Sequence, residues 1–225
     1  MSNLPVQSEL VVPAGAVGVV VFAHGSGSSR RSPRNVAVAR RLNDAGLATL
    51  LFDLLSEEEA RDRANVFDVP LLAARLVLAT ELIESREEAA ALPVGFFGAS
   101  TGAAAALWAA GDPRSSIGAI VSRGGRPDLA AARLPDVTAP TLLIVGGADP
   151  EVLELNRWAQ RRLGGESALE IVPGATHLFE EPGALDTVAR LAIDWFGRLR
   201  TAEAEPGRPQ PPDGRGSSGS STPGS

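Results

Sequence analysis

Residues Gly95–Leu107 read GFFGASTGAAAAL: the end of a short apolar run, then Gly98-Ala99-Ser100-Thr101-Gly102, then a tract of alanines. The run around Val94–Phe97 has strand character and the alanine tract favours helix, so Ser100 stands where a strand crosses into a helix. A turn that sharp brings the backbone against its neighbours and strains the serine, which is why small residues are required at 98 and 102. Two readings follow. Either Ser100 is a nucleophile raised above a sheet, or glycine and alanine simply let the helix pack closely. In a chain with 24 glycines this spacing arises readily by chance, so its context decides.

Outward from the turn, Val17–Gly25 (VGVVVFAHG) and Leu47–Asp53 (LATLLFD) are continuous apolar runs, as strands buried on both faces should be. Between them the turn GSGSSRRSP leads into a helix from Pro33, with Ser32 as N-cap and Gly46 in the C′ position. The acidic stretch Ser56–Asp68 (SEEEARDRANVFD) lacks a stable apolar face and reads as a surface loop with a helical turn. A long helix opens near Pro70, where Leu72, Leu76, Ala79 and Ile83 share one face.

The alternation continues after it. Strands are predicted at Val94–Phe97, Ile117–Ser122, Thr141–Val145 and Leu169–Val172. Helices are predicted at Thr101–Ala110, near Leu129, at Pro150–Leu163 and at Leu185–Leu199. This order predicts one α/β domain over residues 1–200, a mostly parallel sheet with helices on both faces and right-handed crossovers. Ligands then belong beyond the carboxyl ends of the strands. Residues 201–225 (TAEAEPGRPQPPDGRGSSGSSTPGS) have almost nothing to bury and read as a disordered Pro/Gly/Ser-rich tail.

Composition removes whole chemistries. The chain has 225 residues, 44% of them hydrophobic, enough for a sizeable core. Its net charge of -6 and the absence of a basic run argue against a nucleic-acid partner. The start, MSNLPVQSELVVPAG, lacks the basic and long apolar segments of a leader, and no later run is long enough to span a bilayer, so a soluble cytoplasmic protein is expected. There is no Cys, Tyr or Lys, and all 21 basic residues are Arg. That excludes a disulfide, a thiolate nucleophile, a Lys Schiff base, a phosphate-loop lysine and a Tyr-Lys proton relay. With only His24 and His177, no Cys/His metal site can be built, and neither metal nor cofactor is expected.

A serine nucleophile needs a base oriented by an acid. His177, in VPGATHLFEEP, is the histidine that follows Ser100, and it lies just beyond the last predicted strand on the edge that carries Ser100. Asp149, in LLIVGGADPEV, also follows a strand end and suits the acid, although Asp-Pro is equally a helix start. Asp128, in SRGGRPDL, competes with it. An oxyanion requires two N–H donors: Thr101 supplies the first, and Ser26, with Gly25 as fallback, the second from HGSGSS. His24 in that loop orients backbone rather than titrating in the reaction. Arg123 and Arg126 suit a substrate carboxylate, and Leu54, Phe67, Leu178 and Phe179 are candidate pocket walls.

Taken together, FAHGSGSS, GFFGASTGAAAAL, TLLIVGGADPEV and GATHLFEEPG resemble the α/β-hydrolase superfamily and, within it, the dienelactone-hydrolase-like group of small enzymes without a cap domain. The resemblance covers about the first 200 residues. It implies a sheet of about eight strands and Ser100, Asp149 and His177 as a triad. Dienelactone hydrolases carry Cys at the turn, whereas this chain has Ser100, so a serine hydrolase acting on small carboxylic esters through an acyl-enzyme is the expectation. Thioester or peptide cleavage on the same triad and a noncatalytic binding protein are the alternatives. A dinucleotide-binding dehydrogenase is the remaining rival, from Gly25, Gly27 and Asp53, but Arg30 stands where its third glycine belongs.

Overall fold

Residues 7–200 are described by a computed structural model; the segment read as a tail, 201–225, lies outside them. Among the described residues seven strands form one sheet in the order β1-β3-β2-β4-β5-β6-β7, where the resemblance implies about eight. β2 (Val19–Ala23), β3 (Ala48–Phe52), β4 (Val94–Ala99), β5 (Ala119–Arg123), β6 (Thr141–Gly146) and β7 (Ser167–Val172) run parallel. β1 (Ser8–Val11) lies antiparallel on β3 at the edge, with Ser8 opposite Phe52 and Val11 opposite Thr49. This short, largely exposed strand is not anticipated from the sequence, because four residues carry too little alternation to register.

The two faces of the sheet are separated by the period of two along each strand. Val19, Val21 and Ala23 of β2 join Leu50, Phe52 and Phe96 beneath α3 (Val69–Glu84) and α4 (Thr101–Ala110). Val20 and Phe22 join Phe97 and Val121 beneath α1 (Pro33–Asp44) and α6 (Ala184–Phe196). α5 (Pro150–Gln160) adds Ala159 to the first face. The helical stripe of Leu72, Leu76, Ala79 and Ile83 is buried, as its spacing predicts.

Helix α1 closes on Gly46 at φ +81, where the Leu47 N–H bonds the Leu42 carbonyl and the Gly46 N–H bonds that of Asn43. Glycine is needed there because the chain turns through the left-handed region. Ser32 occupies the N-cap of α1, but its hydroxyl makes no cap bond, unlike the sequence expectation. The acidic stretch is more ordered than its composition suggests. Ser56 and Glu59 exchange bonds, the Ser56 N–H to the Glu59 carboxylate at 2.8 Å and the Glu59 N–H to the Ser56 hydroxyl at 3.2 Å. That reciprocal capping box starts a turn at Glu59–Arg61, followed by α2 (Arg63–Phe67), and Arg75 of α3 pairs with Glu59 at 2.5 Å. Among the described residues no helix is long and apolar enough to cross a membrane.

Candidate active site

Strand β4 delivers Ser100 at φ 52 and ψ -118, a backbone conformation that a non-glycine residue rarely holds. Its surroundings enforce it. The Ser100 N–H donates to the Arg123 carbonyl at the end of β5, and the Ser100 carbonyl accepts from Ala103 and Arg126. A Cβ on Gly98 would collide with the Ala103 backbone, and one on Gly102 with the Ala23 and His24 carbonyls. The glycines at 98 and 102 are therefore there for space.

His177 lies in the loop after β7, and the two ring nitrogens face different partners. Nδ1 is 2.8 Å from Asp149 Oδ2, and Nε2 is 3.3 Å from Ser100 Oγ. A carboxylate only accepts, so Nδ1 carries the proton and Nε2 offers its lone pair to the serine hydroxyl. Asp149 sits at the N-cap position of α5, yet its side chain makes no cap bond. Its carboxylate goes to His177 instead. Asp128 is spoken for, holding Arg126 through two bonds of 2.9 and 2.8 Å.

The loop after β2 approaches Ser100 from the other side, and Gly25 lies against the Ala99 carbonyl and Ser100 Cβ. His24 is a clamp in this loop. Nε2 accepts the Leu54 N–H at 3.0 Å, which leaves the proton on Nδ1, 3.0 Å from the Gly25 carbonyl. Burial holds its pKa below the ordinary histidine value. The Ser26 N–H, expected to point at an oxyanion, donates to the Thr101 hydroxyl at 2.8 Å. Thr101 opens α4, so its own N–H is among those a helix leaves without an internal partner. Asp53, where a ribose-binding acid would stand, is taken by Arg30 through its main-chain N–H at 2.8 Å and its guanidinium at 2.5 Å.

Two hollows share Gly25, Ser26 and Ser28 as a common wall. One, of about 180 Å³, is lined by Ser100, His177, Leu178, Arg123, Arg34 and Asn35. The other is an open groove of about 710 Å³ along Gly25–Arg31 and Asp53–Glu57, which includes Leu54 and Thr101. Of the expected walls, Leu54 and Leu178 face these spaces. Phe67 is 44% exposed on the surface, and Val66 lines the groove in its place. Phe179 is a correction: at φ 57 its backbone turns the ring into the core, where it is 2% exposed and lines neither hollow. The ring instead lies 6.0 Å from the Arg123 guanidinium carbon, within cation–π range.

Arg123 is 7% exposed, and its Nε and Nη1 have no hydrogen-bond partner among the described residues. Burial, with repulsion from Arg34 second, pushes its pKa down to about 10, so it remains a cation at neutral pH. Sequence reasoning missed Arg34 and Asn35, which complete the small hollow. Asn35 is 1% exposed and lies in phase with Val38, Ala39 and Leu42 on the buried stripe of α1; a polar residue on an apolar stripe was the available signal. Among the described residues no three His, Asp or Glu side chains cluster as a metal site would require.

No protein-family model matches the chain. A Mycobacterium tuberculosis protein of strains H37Rv and CDC 1551, named "Putative phosphoribosyl transferase", is 62% identical over 193 residues, 86% of this chain. The chain spans only 44% of that relative's length. A solved dienelactone hydrolase from Anabaena variabilis is 55% identical, with a TM-score of 0.82 over 85% of this chain and 91% of the other. Est1E from Butyrivibrio proteoclasticus, at 15% identity and a TM-score of 0.74 over 86% of this chain and 94% of its own, shares the fold. More than half identity along nine-tenths of the Anabaena enzyme, at a TM-score of 0.82, leaves one assignment: this chain belongs to the α/β-hydrolase superfamily, in its dienelactone-hydrolase-like group.

Proposed function

We propose that the chain is a serine hydrolase that cleaves small carboxylic esters through an acyl-enzyme, with Ser100 as nucleophile, His177 as base and Asp149 as its orienting acid. The observation that carries this reading is the imidazole set between Asp149 at 2.8 Å and Ser100 at 3.3 Å, on a serine held at positive φ. His177 Nε2 takes the Ser100 proton as Oγ attacks the carbonyl carbon, and Asp149 stabilises the imidazolium. The oxyanion is received by the Thr101 amide, joined by the Ser26 amide, which at rest donates to the Thr101 hydroxyl. The proton then passes from Nε2 to the leaving alcohol, and a water activated by the same nitrogen releases the acid.

Arg123 supports a narrower substrate class. A buried guanidinium with unpaired N–H groups beside the nucleophile favours an ester whose acyl part bears a carboxylate, received in the 180 Å³ hollow. Arg126 is excluded from that role by its pairing with Asp128. The Anabaena relative is named a dienelactone hydrolase, and small carboxylated esters are compatible with that name. The phosphoribosyl name belongs to a protein of which this chain matches less than half.

A panel of short acyl esters, their thioester and amide counterparts and half-esters of dicarboxylic acids tests the proposal. Turnover is expected on esters of about two to six acyl carbons, with the half-esters favoured. No turnover of any ester, together with no covalent reaction of Ser100 with a fluorophosphonate, would leave a noncatalytic binding protein on this scaffold.

A further inference from the structure

Ser26 is exposed and lies between Gly25 and Gly27, the latter at φ +68. A residue between two glycines has much backbone freedom to lose, and an amide that must stay aimed at one point needs an external anchor. The anchor is 75 residues away in sequence: the Thr101 hydroxyl, which accepts the Ser26 N–H at 2.8 Å. Thr101 is 3% exposed, and its branched Cβ restricts the side chain to few rotamers. The same residue presents the helix-terminal amide next to Ser100.

Resting on the serine-hydrolase reading above, we propose that the Thr101 hydroxyl is a positioning group of the oxyanion site, a latch that fixes the Ser26 amide relative to the Thr101 amide before charge develops. One residue thereby references both donors. Its main chain supplies the first, and its side chain sets the distance and aim of the second. Donors fixed in advance need no reorganisation when the oxyanion forms, which is where such sites gain their rate. The Ser26 N–H is then shared between the hydroxyl and the oxyanion as a three-centre bond. Neither the strand-to-helix turn nor the triad needs a hydroxyl at 101, so this role is separable from the parent proposal.

The test compares wild type, Thr101→Val and Thr101→Ser in acylation by p-nitrophenyl butyrate, in affinity for phenylboronic acid, which forms a tetrahedral adduct on a nucleophilic serine, and in melting temperature. Deleting an oxyanion donor outright costs about 10²- to 10³-fold, and loosening one should cost roughly tenfold. Valine is therefore expected to slow acylation and weaken boronate binding by about that factor with KM and melting temperature nearly unchanged, and serine to restore both. If valine fails to fold, Thr101→Ala removes the same acceptor without changing the outcome sought. Valine acylating at the wild-type rate or faster, or raising KM alone, overturns the latch. A wild type that neither acylates nor binds boronate overturns the parent reading instead.

Discussion

Asp149 and His177 meet across a 2.8 Å bond between Oδ2 and Nδ1, and that bond takes the aspartate away from the helix it stands in front of. Asp149→Asn should therefore cost activity, not stability. The amide nitrogen of asparagine favours the wrong imidazole tautomer, and the expected loss in kcat is about 10⁴-fold, less than the loss on removing Ser100 or His177. The melting temperature should move little, since no cap bond is lost. Steady-state kinetics beside a thermal melt check both halves.

Arg123 sets function against stability. A cation buried without a hydrogen-bonded partner is held in the fold at a cost, and burial that lowers its pKa to about 10 corresponds to on the order of 3 kcal/mol. Arg123→Met should raise the melting temperature by several degrees while reducing kcat/KM for a half-ester about 100-fold and leaving a neutral ester nearly unaffected. A variant that is less stable, or equally impaired on both esters, would remove the anion from the account.

His24 predicts a pH dependence of stability. Its folded pKa lies below the ordinary 6.5, mainly through burial, so the unfolded chain takes up the proton first. The stability this group contributes is complete above about pH 6.5 and is lost as the pH falls below it. His24→Gln should flatten that part of the profile. Urea unfolding of both proteins at several pH values between about 5 and 7.5 measures the difference.

The turn tolerates no added side chain. Gly102→Ala would drive a methyl into the Ala23 and His24 carbonyls, backbone groups at the end of β2 and in the loop that follows it. An alanine in a helix interior ordinarily stabilises. Here it should destabilise by about 3 kcal/mol or displace the His24 loop, with activity lost in either case. A melting temperature at or above that of wild type with full activity would contradict the packing described.

What the sequence discloses and what it hides divide along physical lines. α4 spans Thr101–Ala110 as read, because an alanine tract after a glycine turn leaves few alternatives. Ser100, Asp149 and His177 were legible because each follows the end of an apolar run, and a parallel sheet carries all such ends to one edge. β1 escaped because an edge strand with one face in water has a weak pattern. The order of the acidic stretch escaped because it rests on the exchange between Ser56 and Glu59 and on Arg75, a residue from the next helix. The destination of Phe179 depended on a positive φ that nothing in LFEEP announces. Asp149 and Asp128 both follow strands, and it is the fold that sets the first against His177, while the second pairs locally with Arg126 two residues before it.

The most direct test of the central claim is the intact mass of the protein after incubation with a fluorophosphonate, followed by peptide mapping, for wild type, Ser100→Ala and His177→Ala. Wild type should gain a single adduct on the peptide containing Ser100. Ser100→Ala should gain none, and His177→Ala should react slower by several orders of magnitude, on the order of a millionfold at the limit set by interdependent triads. A folded wild type that stays unlabelled, or a Ser100→Ala variant labelled and hydrolysing esters at the wild-type rate, would contradict the account.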